Sequence, residues 1–302
     1  MWFKNIIFYR LTETLNYTAE QLEDAFAEHL FTPCKSQELS RYGWVSPHPN
    51  MQEKNVFASS GAFLITAQKE DKLVPGSVVN QQLKEKIAVI ENQESRKVYR
   101  KEQLTLKDEI ILDLLPRAFS KYSQTSALIV PQHNFIAVDS SSYSKAEEIL
   151  NLLRNSLGSL PVKLPDVNHS PSVMMSQWLL QENIVPEFKC LEECELKDQG
   201  AEGATIKVKG QELQCDEITM HLETGKQVSK LALEWDETLS FILHEDLSIK
   251  RFKPSDQLST ELNEEDSEDP LARLDSDTSR LALELQRLLP QLLGAFGGEL
   301  VR

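Results

Sequence analysis

The sequence predicts an α+β protein in which antiparallel sheets are flanked by helices and a helical hairpin projects from a sheet. The clearest observation is a three-stranded meander over residues 226–253, with turns at residues 236–237 and 245–246. A second pair of predicted strands covers residues 123–130 and 135–139. Because consecutive strands joined by short turns pair antiparallel, these segments indicate the sheet type.

Three elements are predicted before the hairpin. Residues 3–11 alternate enough to form a strand, and residues 56–67 form a strand or a β-hairpin. Between them, Thr18 and Gln21 have the spacing of a capping box, which opens a helix that continues to about Leu30.

A long helical segment begins at Ser77. Apolar side chains recur along it at intervals of four and three residues, namely Val79, Leu83, Ile87 and Ile90. Continued along the same line, the stripe becomes cationic, with Arg96, Lys97, Arg100 and Lys101. Either the end of this helix leaves the core and is solvated, or the segment is a projecting arm whose far end meets an anionic partner.

A second helix completes the predicted hairpin. Thr105 and Asp108 are positioned to cap its N-terminus, and Pro116 ends it because proline cannot continue the hydrogen-bonding pattern of a helix. The chain then returns through the sequence LPRAFSKYSQT.

This return segment lies in a part of the chain that contains no carboxylate. Residues 114–138 include no Asp or Glu, although the whole chain has a formal net charge of -15. The segment carries two cations, Arg117 and Lys121, and two aromatic side chains, Phe119 and Tyr122.

Three further helices are predicted in the second half. Ser144 and Glu147 form a capping box for one that ends at Gly158, and residues 216–223 form a short one. The last helix follows Thr278 and should be kinked or split by a proline at position 290. Its apolar side chains surround much of its surface and are Leu281, Leu285, Leu288, Leu289, Leu292 and Phe296.

These elements suggest three regions. Residues 1–74 and 122–165 form a central α+β domain, and residues 75–121 form a helical tip. Residues 166–302 form a base domain with the meander and the C-terminal helices.

Composition limits the class of protein. With 302 residues, 40% hydrophobic and 26% charged, the chain has the composition of a globular protein with a large core. No apolar run approaches the ~20 residues needed to cross a bilayer, and no signal peptide is predicted. Four cysteines in this length do not form a disulfide framework, so a reducing cytoplasm is expected.

The sequence predicts no enzyme, cofactor or metal site. Glycine-rich phosphate loops, GxSxG and HExxH are absent, and the six histidines are scattered. Cys190 and Cys194 could share one helical face, but a zinc site would need further ligands. The acids within residues 264–269 could hold Mg²⁺, although a solvated loop is the simpler interpretation.

The cations are more informative than the catalytic templates. Lys226 and Lys230 lie four residues apart in the first strand of the meander, so alternation predicts that both face away from Leu231, Leu233 and Trp235. The third strand of the meander adds Lys250, Arg251 and Lys253. An acidic protein binds nucleic acid only if its cations are segregated on one surface. From the residues alone, nucleic-acid binding, an interaction scaffold and an enzyme all remain open.

Several stretches taken together resemble the bacterial recombination-associated protein RdgC family. They span nearly the whole chain in order and are WFKN, LFTPCKSQELSRYGWVSP, LKDEIILDLLPRAFSKYSQT, KAEEILNLLRNSLGSLPV and EITMHLETGKQVSKLALEW. The resemblance implies a nucleoid-associated protein that binds double-stranded DNA with little sequence preference and restrains RecA-promoted strand exchange. It also implies a horseshoe-shaped monomer that forms a homodimeric ring around the duplex.

The resemblance also implies roles for individual residues. Acids would occupy the outer wall of the ring while cations line the hole, with Arg117 and Lys121 facing it. Phe119 becomes a candidate contact between the two tips, and the alternative is that it packs under its own hairpin. The C-terminal helix becomes a candidate second interface through Leu281, Leu285, Leu288, Leu292 and Phe296, although burial within the chain is an equal alternative.

Two functions of different classes remain. One is a passive DNA-encircling dimer that blocks recombinase filaments by occupying the duplex. The other is a regulator that binds the recombinase itself and contacts DNA incidentally.

Overall fold

The computed structural model describes residues 2–51, 54–181, 183–198, 200, 203–256, 258–260 and 269–300. Its α-helices are α1 Ala19–Phe26, α2 Gly76–Glu94, α3 Arg100–Leu114, α4 Tyr143–Leu157, α5 Pro171–Gln181, α6 Asp216–Glu223 and α7 Pro270–Ala295. Its strands are β1 Ile6–Leu11, β2 Ser40–Val45, β3 Val56–Ser59, β4 Ala62–Leu73, β5 Phe119–Val130, β6 Phe135–Asp139, β7 Val162–Lys163, β8 Phe188–Lys197, β9 Thr205–Lys209, β10 Gln227–Trp235, β11 Leu239–His244 and β12 Ile249–Pro254. The protein is therefore α+β, as the sequence predicts.

The chain divides into two compact units. The first consists of Met1–Ala25, Ser46–Thr66 and Thr125–Arg302, and the second of Phe26–Val45 and Ala67–Gln124. Helices α2 and α3 lie in the second unit, together with β2 and the adjoining ends of β4 and β5.

The first unit contains an antiparallel sheet with the strand order β5-β6-β1-β12-β11-β10-β8-β9. The predicted meander is confirmed as β10, β11 and β12, and the predicted pair of strands as β5 and β6. The predicted hairpin at residues 56–67 is also confirmed, by the pairing of β3 with β4. Strands β8 and β9 extend the sheet beyond the meander, and neither strand was predicted from the sequence.

Helices α5 and α7 contribute to the main hydrophobic core of the first unit. Trp178 of α5 packs against Phe296, with ring centroids 5.1 Å apart, and Trp235 of β10 donates its indole N–H to Gln291 Oε1 of α7 at 2.7 Å. The apolar side chains of α7 predicted for a dimer interface are instead core residues of the same chain. At most 1% of each is exposed, and they are Leu281, Leu285, Leu288, Leu292 and Phe296.

This burial corrects the prediction of a C-terminal interface through those five residues. In this arrangement a second copy of the chain has no access to their side chains. An apolar helical stripe requires a covering surface, and here the chain's own sheet and helices supply it. Burial within the chain, which was the alternative, therefore describes this helix.

The helix boundaries differ from several predictions. The capping box of α1 is confirmed, because the Thr18 backbone N–H donates to Gln21 Oε1 at 2.9 Å and the Gln21 N–H donates to Thr18 Oγ1 at 3.3 Å. Helix α7 begins earlier than Thr278, with Asp269 accepting a hydrogen bond from the Leu271 N–H, and Pro290 does not split it.

The capping box predicted for α4 is wrong. Helix α4 begins at Tyr143 after Ser142, and no side chain caps it. Its predicted end at Gly158 is confirmed, since this residue has a φ of 77°, a left-handed conformation that glycine adopts without strain. The short helix α6 has the predicted bounds, Asp216–Glu223.

In the second unit, helices α2 and α3 form the predicted hairpin. Helix α2 ends at Glu94 because Ser95 adopts a left-handed conformation with a φ of 52°. The apolar stripe therefore does not continue into the cations along one helix. Arg96 and Lys97 lie in the connection, whereas Arg100 and Lys101 begin α3.

The second helix of the hairpin also starts earlier than predicted. Thr105 and Asp108, the predicted cap, lie inside α3, which ends at Leu114 just before Pro116. A 3-10 turn at Leu115–Arg117 leads directly into β5 at Phe119. The return segment is therefore largely a strand.

Candidate nucleic-acid interface

The first unit has a concave, cation-rich surface on the face of the sheet formed by β8–β12. We call this surface the basic cleft, and it has a volume of about 230 Å³. Its lining residues are Glu193, Cys194, Glu195, Lys207, Lys209, Lys230, Ile242, His244, Lys250 and Arg251. Five lysine and arginine side chains thus share the cleft with two glutamates.

Strand register brings these charges together. Lys207 of β9 pairs with Glu195 of β8, which pairs with Lys230 of β10, which pairs with His244 of β11. Directly opposed residues on neighbouring strands have Cβ atoms about 4.5–5.5 Å apart. The four side chains therefore form one row across four strands. Part of a second row is formed by Lys209 opposite Glu193.

A β-bulge in β10 turns Lys230 into the cleft. Val228 and Leu231 are both fully buried although they are three residues apart, and the pairing of β10 with β8 is irregular between Val228 and Lys230. An extra residue in a strand reverses the face on which the following side chains lie. Strict alternation would have placed Lys226 and Lys230 on the same face of the strand. The bulge interrupts this alternation between the two residues.

A second irregularity has the same consequence in β12. Ile249 and Phe252 are buried in the core, and Lys250 and Arg251 between them both line the cleft. The pairing of β11 with β12 is irregular here, and Arg251 has a φ of 51°. A left-handed conformation costs a residue other than glycine roughly 1–2 kcal/mol. The fold thus tolerates strain at a position that directs a cation into the cleft.

The two glutamates are each held by two cations. Glu195 lies 2.9 Å from Lys230 Nζ and 3.5 Å from Lys207 Nζ, and it accepts a hydrogen bond from Ser229 Oγ at 3.0 Å. Glu193 lies 3.5 Å from Lys209 Nζ and also pairs with Arg251.

These contacts keep both carboxylates ionised. The hydrogen bond from Arg251 is the main cause that lowers the pKa of Glu193. Burial raises the pKa of Glu195, but hydrogen bonds from Lys230 and Ser229 outweigh it, so the net shift is downward. Both side chains therefore carry a full negative charge at neutral pH.

In two basic groups of the cleft, burial outweighs the effect of the nearby negative charge and favours the neutral form. Burial is the main cause that lowers the pKa of His244, the charge of Asp246 opposes this shift, and the charges of Lys230 and Lys250 add to it. Burial also lowers the pKa of Lys250, with Asp246 opposing the shift. An anionic ligand beside these two groups would favour their protonated, charged forms.

The cations of the second unit are arranged differently. Arg96 donates two hydrogen bonds of 2.7 Å to the carboxylate of Glu102 and one of 2.5 Å to Glu94, and these bonds raise its pKa. Lys97, Arg100 and Lys101 are exposed, and they form no ion pair with any residue that the structure describes. Of the four predicted cations of the hairpin, Arg96 is therefore engaged in ion pairs within its own chain.

The return segment presents its charged and apolar side chains together. Arg117, Phe119 and Lys121 are exposed, and Phe119 is 83% exposed. Phe119 and Lys121 occupy alternate positions of β5 and so point to the same side. Ser120 lies on the opposite side, where its hydroxyl donates to Glu70 Oε1 at 2.5 Å. The alternative that Phe119 packs under its hairpin is therefore wrong.

The cleft unites only some of the predicted binding residues. Lys230, Lys250 and Arg251 line it, whereas Lys226 and Lys253 are not among its lining residues. Sequence reasoning missed Lys207 and Lys209, because β9 was not predicted. The alternating segment TIKVK of β9 was the signal that could have identified them.

The structure offers no metal centre among the residues it describes. Within the described ranges, no group of three or more His, Cys, Asp or Glu side chains could hold a metal ion. Cys190 and Cys194 lie in strand β8, so the prediction that they share a helical face is wrong. The acids at positions 264–268 lie outside the described residues. No helix in the described part of the chain is long and apolar enough to cross a membrane.

Comparison with known proteins identifies the family. A family model described as "Putative exonuclease, RdgC" matches residues 1–299. The chain belongs to the RdgC family. A protein named recombination-associated protein RdgC from Aeromonas hydrophila is 45% identical over 299 residues, which cover 99% of each chain. Proteins of the same name from Pseudomonas aeruginosa PAO1 and Shewanella sp. MR-4 are each 43% identical and cover 99% of this chain and 98% of their own.

Proposed function

We propose that this RdgC-family protein binds double-stranded DNA without sequence preference, encircles it as a ring dimer and restrains RecA-mediated recombination. The observation that carries the proposal is the basic cleft, where five cations from β9, β10 and β12 converge in an otherwise acidic chain. The proposed setting is the nucleoid in the bacterial cytoplasm.

The chemistry of the cleft suits phosphates rather than bases. Lysine and arginine side chains that contact phosphates position a duplex without reading its sequence. Each neutralised phosphate releases counterions, so binding should weaken steeply with salt. The cleft lies on a sheet face and offers no helix for insertion into a major groove, which supports binding that is independent of sequence.

The proposed ring places Phe119 between two copies of the chain. A phenylalanine side chain removed from water contributes about 1.5–3 kcal/mol, and a symmetric interface would bury two of them. The exposure of Phe119 in the single chain supports this role. Arg117 and Lys121 flank it. We propose Lys97, Arg100 and Lys101, which are exposed in the hairpin, as further phosphate contacts.

A second candidate is a regulator that binds the recombinase directly. The observation that favours it is the number of large hydrophobic side chains exposed in the second unit. Its exposed large hydrophobic residues are Leu30, Leu39, Leu73, Val78, Val89, Tyr99, Leu104, Leu112, Phe119 and Tyr122. Large exposed apolar patches often mark protein-binding sites.

The proposal is binding without cleavage, which differs from the description of the family model. In the cleft, the carboxylates of Glu193 and Glu195 are engaged by lysine and arginine side chains. A nuclease that uses metal ions needs carboxylates available as ligands. The pairing of these two glutamates favours their role as partners of cations.

The test is a salt titration with duplexes of unrelated sequence. Log affinity should fall linearly with log salt concentration with a slope of magnitude at least ~3, and it should not depend on sequence. The same samples, incubated with Mg²⁺, should show no shortening of the DNA. A flat salt response would refute phosphate binding, and tight association with recombinase in the absence of DNA would favour the second candidate.

A further inference from the structure

The two glutamates of the basic cleft lie between its cations. Glu195 bridges cations from β9 and β10, and Glu193 bridges cations from β9 and β12. Four of the five cations of the cleft are therefore engaged by these two carboxylates. Lys250 has no ion pair with any residue that the structure describes.

Each carboxylate resembles a phosphate in the way it is held. It is anionic, it accepts charge-assisted hydrogen bonds from lysine or arginine, and it spans two basic side chains at once. The side chains of Glu193 and Glu195 are only 26% and 14% exposed, so they sit within the cleft and are not turned away into solvent. An approaching phosphate meets two like charges and cations that are already paired.

We propose that Glu193 and Glu195 are built-in competitors of the DNA phosphates, which hold the cations in place in the free protein and weaken DNA binding. The inference rests on the proposed function, because it needs the cleft to bind phosphates. The inference adds that the affinity for DNA is lower than it would be if all five cations were free to bind phosphates. A protein that binds any duplex benefits from such a limit, since tight binding everywhere would slow its release.

If these carboxylates have a purely structural role, their neutralisation should change the DNA affinity in the opposite direction. If Glu193 and Glu195 serve only to position the lysines, their neutralisation should disorder the cations and weaken DNA binding. If they compete with phosphates, neutralisation should strengthen it. The direction of the change in affinity therefore decides between the two roles.

The experiment uses Glu195→Gln and Glu193→Gln in the full chain. Glutamine keeps the shape and can still accept the hydrogen bond from Ser229. The matched control is Asp236→Asn, which removes one carboxylate that pairs with Arg287 and does not line the cleft. The dissociation constant for a short duplex is measured by fluorescence anisotropy at several salt concentrations, and the melting temperature of each variant is recorded.

Each cleft variant should bind the duplex roughly three- to tenfold more tightly than wild type, because a like charge has been removed. The salt slope should become steeper by up to about 1, since one more phosphate can be neutralised. Asp236→Asn should change affinity by less than about twofold, since its carboxylate is not in the cleft. If Glu195→Gln fails to fold, the more exposed Glu193→Gln still provides the test.

Unchanged or weaker binding by the folded cleft variants, with wild type still binding in a salt-dependent manner, would overturn the inference and leave the proposed function intact. A wild-type protein that does not bind duplex at all would instead overturn the proposed function.

Discussion

The basic cleft of the first unit and the helical hairpin of the second unit both carry groups of cations, but the two groups are arranged differently. In the hairpin the cations are close in sequence, yet Arg96 is bound by Glu94 and Glu102 of its own hairpin and its neighbours point into solvent. In the cleft they come from strands far apart in sequence, and the sheet brings them into register. Clustering along the chain is thus a poor guide to clustering in space.

The two units also differ in how they use apolar side chains. Helix α7 of the first unit buries most of its leucines in the core, whereas the second unit leaves many large hydrophobic side chains exposed. Apolar surface that the chain covers itself contributes to folding, while exposed apolar surface is available to a partner. This comparison can be tested by replacing one buried apolar residue of the first unit and one exposed apolar residue of the second unit.

The largest effect on stability is expected at Leu285, which is fully buried in α7. Leu285→Ala should lower the free energy of unfolding by about 2–5 kcal/mol, because it leaves a cavity in a packed core. Phe119→Ser should change it by less than about 0.5 kcal/mol, because Phe119 is exposed. Urea unfolding of both variants measures the difference.

Sedimentation of the same variants tests the proposed interface. Phe119→Ser should weaken self-association while the protein stays folded. A Phe119→Ser variant that unfolds would show that this side chain supports its own chain, and a Leu285→Ala variant of normal stability would contradict the assignment of α7 to the core.

The next effect concerns DNA binding by the cleft. The double variant Lys230→Gln, Lys250→Gln should weaken duplex binding roughly 10- to 100-fold and reduce the salt slope by about 2, because two phosphate contacts are lost. Arg96→Gln should weaken it less than about threefold, because three hydrogen bonds hold Arg96 between Glu94 and Glu102, whereas Lys250 forms no ion pair with a residue that the structure describes. Affinity measured across salt concentrations distinguishes the two variants.

If the cleft and hairpin variants lost equal amounts of DNA affinity, the two units would not differ in their contribution to DNA binding. A larger loss in Arg96→Gln would show that the hairpin is the main DNA contact and that its carboxylates exchange readily with phosphates.

The smallest effect is a pH dependence in the second unit. Glu70 accepts hydrogen bonds from Ser120 Oγ and from the Cys34 N–H, and these lower its pKa to about 2. A carboxyl group whose pKa is lower in the folded state stabilises the protein above its unfolded pKa, near 4.3. That stabilisation is lost as the pH falls from about 4.5 to 2.

The stability difference between wild type and Glu70→Gln should therefore shrink over this range of pH. Urea unfolding at a series of pH values measures it, with Glu109→Gln, an exposed carboxylate of the same unit, as the matched control. A difference that stays constant down to pH 2 would show that Glu70 is not stabilised in its ionised form.

Local pattern was enough to predict much of the fold. The meander, the pair β5 and β6, helix α6 and the capping box of α1 depend on alternation, turns and caps that lie within a few neighbouring residues. Helix boundaries were less secure, as α3 shows. Its predicted cap at Thr105 is a valid local signal, but the helix begins at Arg100 because the chain turns at Ser95.

The candidate site could be predicted only in part. Lys230, Lys250 and Arg251 were found because they lie in recognisable strands of the meander. Lys207 and Lys209 were missed because a five-residue edge strand among acidic residues gives a weak signal. The prediction that Lys226 and Lys230 lie on one face assumed strict alternation. The position of a β-bulge that interrupts this alternation cannot be predicted from the local sequence.

By itself, the sequence determined the α+β class, the acidic balance and the resemblance to the RdgC family, since these follow from composition, local periodicity and ordered motifs. Only the tertiary structure decided which surfaces are covered and which charges meet. Periodicity shows that one face of an element is apolar, but it cannot say whether the chain itself or a partner covers that face. The burial of most leucines of α7 and the convergence of the cations in the basic cleft both result from contacts between residues distant in sequence.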